Sequence, residues 1–315
     1  MMKLSKYLLA ILVVGTMMFS CEDDDVPTTT TTIRDEAEVA AENDEAIRDF
    51  LGTHFYKIAP DLTNPNIKTI QFDTIAGINS DEQPIMESEF LKTKTIVEND
   101  IDYTLYYLKI REGAPSEYKP TYADLVVVSY RGQTLNLTKF DESVSPIKFN
   151  LPGETGNGGI IKGFVNTLVE FRGASQYVEN PDNTITFSDD YGIGVTFIPS
   201  GLAYFSQSPS YLIPQYAPLI FTFKFYETIQ GDPDEDGVPS IYEDLNNDKL
   251  LSNDFTDEDN IPNFADADDD GDGTPTIDEV EVNDANEDGY ISEDEITFPD
   301  SNSDGTPDYL DPEVN

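Results

Sequence analysis

The chain reads as an α+β domain carrying a long acidic extension, and three observations lead there. Between Ile101 and Glu227, apolar residues alternate along short segments divided by Gly, Pro and Asn turns, the mark of half-buried strands. One segment there, 158–173, breaks that period with helical spacing, so helix packs on an antiparallel sheet. Beyond Gly231 lie about 30 of the 62 acidic residues, with Lys249 as the only basic residue. A chain of 315 residues, 38% of them hydrophobic, can form a sizeable core with accessory segments. The net charge of −44 belongs largely to the tail, and the lack of clustered Lys and Arg argues against nucleic acid as a partner.

The first twenty residues, "MMKLSKYLLAILVVGTMMFS", place Lys3 and Lys6 before a short apolar run that ends in small residues. That pattern is a secretory signal over 1–20, too short for a stable membrane span. Cys21, the only cysteine, follows at the cleavage point, and "MFSC" resembles a bacterial lipobox. The resemblance implies acylation of Cys21 and attachment through lipid to a bacterial membrane, expected to be the outer one, on its periplasmic or surface face. Acylation uses the thiol, so no disulfide framework is expected. Residues 21–34 form a tether, whose opening "EDDD" resembles the surface-export signals of Bacteroidetes lipoproteins.

Residues 35–100 form an extension. Val39, Ala40, Ile47, Phe50 and Leu51 predict a helix from about Asp35 to His54, where the single histidine caps or packs. Alternation in "IKTIQFDTI" and "LKTKTIVEN" predicts a strand pair joined through "GINSDEQP". After Ile101 come "IDYTLYYLKIREG", "DLVVVSYRGQTL", "SPIKFNLPG", "TITFS", "YGIGVTFIPS" and "PLIFTFKFYE" as strands. Residues 158–173 read as a helix with Ile161, Phe164, Val165 and Leu168 on one face.

Six stretches, "VVVSYRGQTL", "TKFDES", "IKFNLPG", "IIKGFVNTL", "IPSGLAYF" and "LIPQYAPLIFTFKF", occur in the order and spacing of FKBP-type peptidyl-prolyl cis-trans isomerases, which residues 101–227 resemble. The resemblance implies a half-open antiparallel β-barrel around one short helix, with an apolar active-site pocket between them. Position by position, Tyr130 and Phe140 match pocket walls, Asp141 a buried carboxylate and Phe149 another aromatic wall. Ile160 and Ile161 match the pocket edge, where the Ile161 amide would hold a substrate carbonyl. Phe164 stands where the family has its floor tryptophan, Tyr204 matches the tyrosine whose hydroxyl meets substrate, and Ile213 and Phe221 complete the rim and wall. Ile147 replaces a usual phenylalanine, Phe205 a glycine, and "QYVENPDNTITFSDDYGIG" lengthens a hairpin and could obstruct the groove. The implied substrates are proline-containing polypeptides, and catalysis needs no cofactor.

The tail, 231–315, repeats a twelve-residue unit with oxygen ligands at positions 1, 3, 5, 9 and 12 and glycine at 6, the spacing of a calcium loop. Four copies fit. They place Asp232, Asp234, Asp236 and Glu243; Asp268, Asp270, Asp272 and Glu279; Asp284, Asn286, Asp288 and Glu295; and Asp300, Asn302, Asp304 and Asp311 as ligands. Units at 244 and 255 fit poorly, since Lys249 replaces a glycine and Phe255 takes a ligand position. Pro239, Pro262, Pro275 and Pro307 occupy position 8, where a paired EF-hand donates an N–H that proline lacks. The tail therefore resembles thrombospondin type 3 repeats, which implies a chain wrapped around a line of structural calcium ions with little apolar core.

Together these features suggest a lipid-anchored prolyl isomerase that assists folding of exported proteins on a calcium-stiffened mount. The alternative is a calcium-dependent surface binding or adhesion protein with a catalytically weak FKBP-like domain. Tyr204, Phe164 and Ile161 favour the first; Phe205 and the enlarged loop favour the second.

Overall fold

In the computed structural model, which describes residues 32–60, 68–152 and 160–315, helix α1 runs Glu36–Thr53. Asp35 sets its start by accepting a hydrogen bond from the Glu38 amide at 2.9 Å, which satisfies one of the first-turn donors. Val39, Asn43, Ile47, Phe50 and Leu51 recur every three or four residues and form its buried face. His54 closes the helix: its ring stacks on Phe50 at 3.9 Å, with Nδ1 3.1 Å from the Phe50 carbonyl oxygen. The signal segment and Cys21 lie outside the described residues, among which no helix is long and apolar enough to cross a membrane.

The strands follow as β1 His54–Pro60, β2 Lys68–Thr74, β3 Leu91–Glu98, β4 Ile101–Arg111, β5 Leu125–Thr134 and β6 Lys139–Asn150. After helix α2, Lys162–Leu168, come β7 Tyr177–Glu179, β8 Ile185–Phe187, β9 Gly192–Ile198 and β10 Leu219–Ile229. Six of them form one antiparallel sheet in the order β3-β4-β9-β10-β5-β6. The expected pairing of residues 67–75 with 91–99 does not occur, because β2 pairs with β1 and β3 with β4. Alternation sets which face a strand buries and leaves its partner open. The second helix is also shorter than its apolar pattern, starting after Ile161 and ending at Leu168.

Period-2 alternation sends the sheet's side chains to two separate cores. On one face, Leu105, Tyr107, Val126, Phe221 and Phe223 pack against Phe164 and Leu168 of α2. On the other, Tyr106, Leu108, Val195, Phe197 and Ile220 pack against Ile47, Phe50 and Leu51 of α1. Both helices thus cover the same sheet from opposite sides.

The tail docks at the end of β10. Asp124, 1% exposed, accepts the Gly231 amide at 3.0 Å and the Thr121 amide and hydroxyl at 2.6 and 2.8 Å. A side chain at 231 would collide with the Ala123 carbonyl, so glycine is required there. Tyr122 donates to Asp244, Tyr118 stacks on Tyr290 at 4.5 Å, and Gln230 exchanges two bonds with the Ile291 backbone. The apolar core of the tail is small, as expected: Val238, Val280 and Tyr309 are buried together with Tyr242, Phe298 and Leu310 against them. Strands β11, Glu281–Val282, and β12, Ile296–Thr297, pair beside this cluster. The tail folds back on itself, which brings apolar residues from distant units into contact.

Candidate functional site

Phe164 lies at the centre of an aromatic recess. Its ring, 2% exposed, stacks on Phe221 of β10 at 4.8 Å and meets Phe223 edge-on at 5.5 Å. Tyr130 of β5 and Phe149 of β6 stand above it, each 6.3 Å from the Phe164 centroid and 5.5 Å from one another. Phe140 meets Phe221 edge-on at 5.6 Å. Ile161, Phe164, Ile213 and Phe221 are buried, while Tyr130, Phe140, Phe149, Ile160 and Tyr204 are half-buried against the same core. That gradient describes a dry floor with walls that reach solvent. Ile161 is the N-cap of α2, so its amide sits at the helix start, beside residues outside the described set.

The Tyr130 hydroxyl donates to Asp141 Oδ2 at 2.5 Å. Burial and that bond raise the tyrosine pKa, and burial together with the Asp141 charge raises that of Tyr204. Both hydroxyls therefore remain protonated donors at neutral pH. Asp141 itself is exposed, contrary to the expected buried carboxylate. It sits on β6, the edge strand, which pairs only with β5 and leaves the side chain open to solvent.

Two supporting residues had no role in the sequence reading. Gly132 faces the rings of Phe140 and Phe221, and a Cβ there would come within 2.5 Å of the Phe140 ring, so glycine lets them cross the strand. Asn43 of α1, 5% exposed, accepts the Ser200 amide at 2.7 Å and donates to the Tyr216 carbonyl at 3.1 Å. It grips the segment that carries Tyr204 on both sides. A polar residue in the middle of α1's apolar stripe was the available signal.

The lengthened hairpin is β7–β8. It packs on the opposite face of β10, where Phe187 stacks on Tyr226 at 4.9 Å. Phe205 does take a backbone suited to glycine, with φ +46°, and its ring meets Tyr216 edge-on at 5.1 Å.

In the tail, all six twelve-residue units share one turn. The position 7 amide donates to the position 5 carboxylate, as Val238 to Asp236, Leu250 to Asp248, Ile261 to Asp259, Thr274 to Asp272, Tyr290 to Asp288 and Thr306 to Asp304, at 2.6–2.9 Å. Position 6 is left-handed throughout, including Lys249 at φ +69° and Asn260 at +73°. The units at 244 and 255 thus keep the loop shape despite their poor fit in sequence. Each proline at position 8 opens a 3-10 turn, and the residue after it bonds back to the carbonyl just before its unit, as Ser240 does to Gly231 at 2.8 Å.

The turns gather carboxylates. Oxygens of Asp232, Asp234 and Asp236 lie within 4.8 Å of one another, as do those of Asp268, Asp270 and Asp272. So do those of Asp244, Asp248 and Asp254, and of Asp257, Asp259 and Asp266. Burial and neighbouring carboxylates push Asp234 up to about 7, Asp236 to about 6, Glu279 to about 7 and Glu243 to about 11. Both Glu243 oxygens and one Glu279 oxygen are buried without a hydrogen-bond donor. An oxygen-only donor set with orphaned buried carboxylates fits a hard divalent cation. Around 284 and 300, Asp284 accepts from the Gly289 amide and Asp300 from the Gly305 amide. Asn286 accepts from Asp288, Glu295 caps its own turn through Ser292, and Asn302 donates to Asp311.

Residues 233–283 match the family model described as BamM C-terminal. No curated protein matches the chain in sequence. Among solved structures, the chain is similar to a peptidyl-prolyl cis-trans isomerase from Pseudomonas syringae pv. tomato, at 19% identity and TM-score 0.33 over 46% of this chain and 84% of that one. It is similar to FkpA from Escherichia coli at 21% identity and TM-score 0.32, over 45% of this chain and 53% of that one. For the three FKBP domains of wheat FKBP73 the values are 14% and 0.32, over 44% of this chain and 51% of that one.

Proposed function

We propose that the aromatic recess binds proline-containing segments and accelerates cis-trans isomerisation of the bond before proline. The observation that carries this reading is Phe164 stacked beneath Phe221, walled by Tyr130 and Phe149, with Tyr204 against the same core. Rotation about an amide meets a barrier of about 18–20 kcal/mol because it breaks C–N resonance, and the X–Pro bond turns over in tens to hundreds of seconds unaided. The twisted amide is less dipolar than the planar one. A dry aromatic floor therefore favours the twisted form over the planar form. Hydroxyl donors such as Tyr204 fix neighbouring carbonyls, and Asp141 positions Tyr130 from outside. No nucleophile is needed, and His54 packs on the other face of the sheet.

The test is an X–Pro exchange measurement on the full chain and on Tyr204→Ala. Acceleration that falls in the variant supports the reading. No acceleration by the wild type overturns it, and leaves the binding-protein reading that Phe205 at a glycine position favours.

Two further parts belong to the proposal. The tail takes calcium as a structural ion, through the ligands named above, and this rests on its orphaned buried carboxylates. Cys21 carries the lipid that holds the chain to a bacterial membrane, where exported polypeptides are its clients. Labelled fatty acid should enter the wild type in its native host and be absent from Cys21→Ser. Equal labelling would remove the anchor.

A further inference from the structure

The side chains of Asp236, Glu243 and Asp269 meet in the interior of the tail, though the third comes from a different repeat unit. Their carboxylate oxygens lie within 4.8 Å of one another. The residues are 2%, 0% and 1% exposed. Each aspartate has one oxygen committed within the protein: Asp236 Oδ1 accepts the Val238 amide at 2.8 Å, and Asp269 Oδ2 accepts the Thr276 hydroxyl at 3.1 Å. The remaining oxygens, Asp236 Oδ2, Asp269 Oδ1 and both of Glu243, have no donor. No ion pair among the described residues reaches this part of the tail. Buried carboxylates left in this state are strongly unfavourable without a counter-charge.

Calcium-loop spacing does not account for Asp269. It stands at position 2 of its unit, which calcium loops do not use as a ligand. Position 2 in the other five units is Pro233, Leu245, Thr256, Ala285 and Ser301, so an acid occurs there only in the unit that folds against the first. The local ligands of that unit, Asp268, Asp270 and Asp272, form a separate group.

We infer that Asp236, Glu243 and Asp269 hold a hard divalent cation, of the calcium class, that staples the fourth repeat unit to the first. This rests on the calcium reading of the tail and adds to it a ligand and a connection that the repeat does not contain. The other carboxylate groups each draw on one unit or its immediate flank, and of these only Asp232, Asp234 and Asp236 share a residue with this group. This ion joins two units, and the first is bonded through Gly231 to Asp124 of the sheet region. Val238, Val280 and Tyr309 pack together in the same fold-back. Loading this one site therefore fixes the folded-back shape of the tail and its seat on the sheet.

The experiment is calcium titration of the full chain by calorimetry, with protease resistance followed at each calcium concentration. The variants are Asp269→Asn, Glu243→Gln and, as a control from a single-unit loop, Asp259→Asn. The substitutions keep side-chain shape, and asparagine at 269 can still accept from Thr276. Asp269→Asn and Glu243→Gln should both weaken one calcium-binding step by at least about tenfold, as loss of a charged ligand does. Both should also raise, by a similar factor, the calcium needed to protect residues 231–315. Asp259→Asn should weaken a step and leave that protection in place. Protection of Asp269→Asn at wild-type calcium overturns the staple, as does a control that loses protection equally. A wild type that binds no calcium defeats the calcium reading itself, a result distinct from either.

Discussion

The sheet region and the tail both bury charge, and they treat it in opposite ways. Glu170 lies 3.0 Å from Lys94, 3.3 Å from Lys119 and 3.8 Å from Lys109, while Glu142 is held by Arg131 and Lys139. Those carboxylates carry their counter-charges in the sequence. Asp236, Glu243 and Asp269 have none within reach, because Lys249 is the tail's only basic residue. The sheet is also closed by a large apolar core on each face, whereas the tail centres on Val238, Val280 and Tyr309. One region is specified by its own side chains; the other is specified only together with what it binds.

The largest expected effect tests that difference directly. Chelating calcium from the full chain should expand residues 231–315 and expose them to protease, since their apolar core is too small to offset chain entropy. The sheet's melting transition should stay in place. Small-angle scattering and limited proteolysis read the first, circular dichroism the second. A tail equally compact in chelator would erase the contrast.

Truncation in the aromatic recess should show the reverse. Phe164→Ala or Phe221→Ala should destabilise the sheet region by about 3–5 kcal/mol, seen as a lower denaturant midpoint, with calcium affinity of the tail unchanged. Tyr204→Phe removes a hydroxyl at the mouth and should lower the isomerisation rate by about 0.5–1.5 kcal/mol of barrier, with little change in midpoint.

Acid should separate the two regions by sign. Burial opposes the charge on Glu170, but hydrogen bonds and charges from Lys94 and Lys119 outweigh it and lower the pKa. Its stabilisation is present above the ordinary carboxyl value of about 4.3 and is lost as pH falls through the lower folded value. In the calcium-free tail, burial and then repulsion push Glu243 up to about 11 and Asp269 to about 8. The folded tail then binds more protons than the unfolded chain, so its stability falls as pH rises above about 4. In chelator, acidification from neutral pH to about 5 should compact the tail and leave the sheet unmoved. With calcium bound the tail's trend should reverse, because the ligands must be deprotonated. Scattering against pH in both conditions checks the signs.

The smallest effect concerns Lys249, left-handed where four sister units have glycine. A side chain there costs about 1–2 kcal/mol in that conformation, partly offset by a less flexible unfolded chain. Lys249→Gly should therefore strengthen calcium binding at the unit of Asp244 slightly, by less than about tenfold. Weaker binding would mean that the lysine has a role of its own.

Local pattern in the sequence reached a long way. The apolar stripe of α1, the run of strands and the recurrence of Gly237, Gly273, Gly289 and Gly305 are short-range signals, and the structure has an element at each. Of the ten residues named from motif order, nine belong to one apolar cluster, and Asp141 is tied to it through the Tyr130 hydroxyl. What escaped was long-range. Strand partners were open because alternation carries no address, and Asp269 had no local reason to join Asp236. Asp141 was expected inside, and its position on an edge strand depends on the whole sheet order. The units at 244 and 255 fit poorly in sequence because of Lys249 and Phe255, yet Lys249 and Asn260 take the left-handed backbone that the neighbouring turns impose.

Asn43 has a further consequence for how the chain is made. Its two backbone partners, in Ser200 and Tyr216, lie 157 and 173 residues later in sequence. A ribosome adding about 5–20 residues per second completes α1 roughly 10–30 s before those partners exist. Throughout that interval Ile47, Phe50 and Leu51 lack Val195, Phe197 and Ile220 of the central strands β9 and β10, and contacts of such separation are slow to close even once the chain is whole. Nascent chains should therefore present a sticky helix early, and crosslinking on stalled ribosomes should find a holding chaperone on residues 36–53 until residue 216 has emerged.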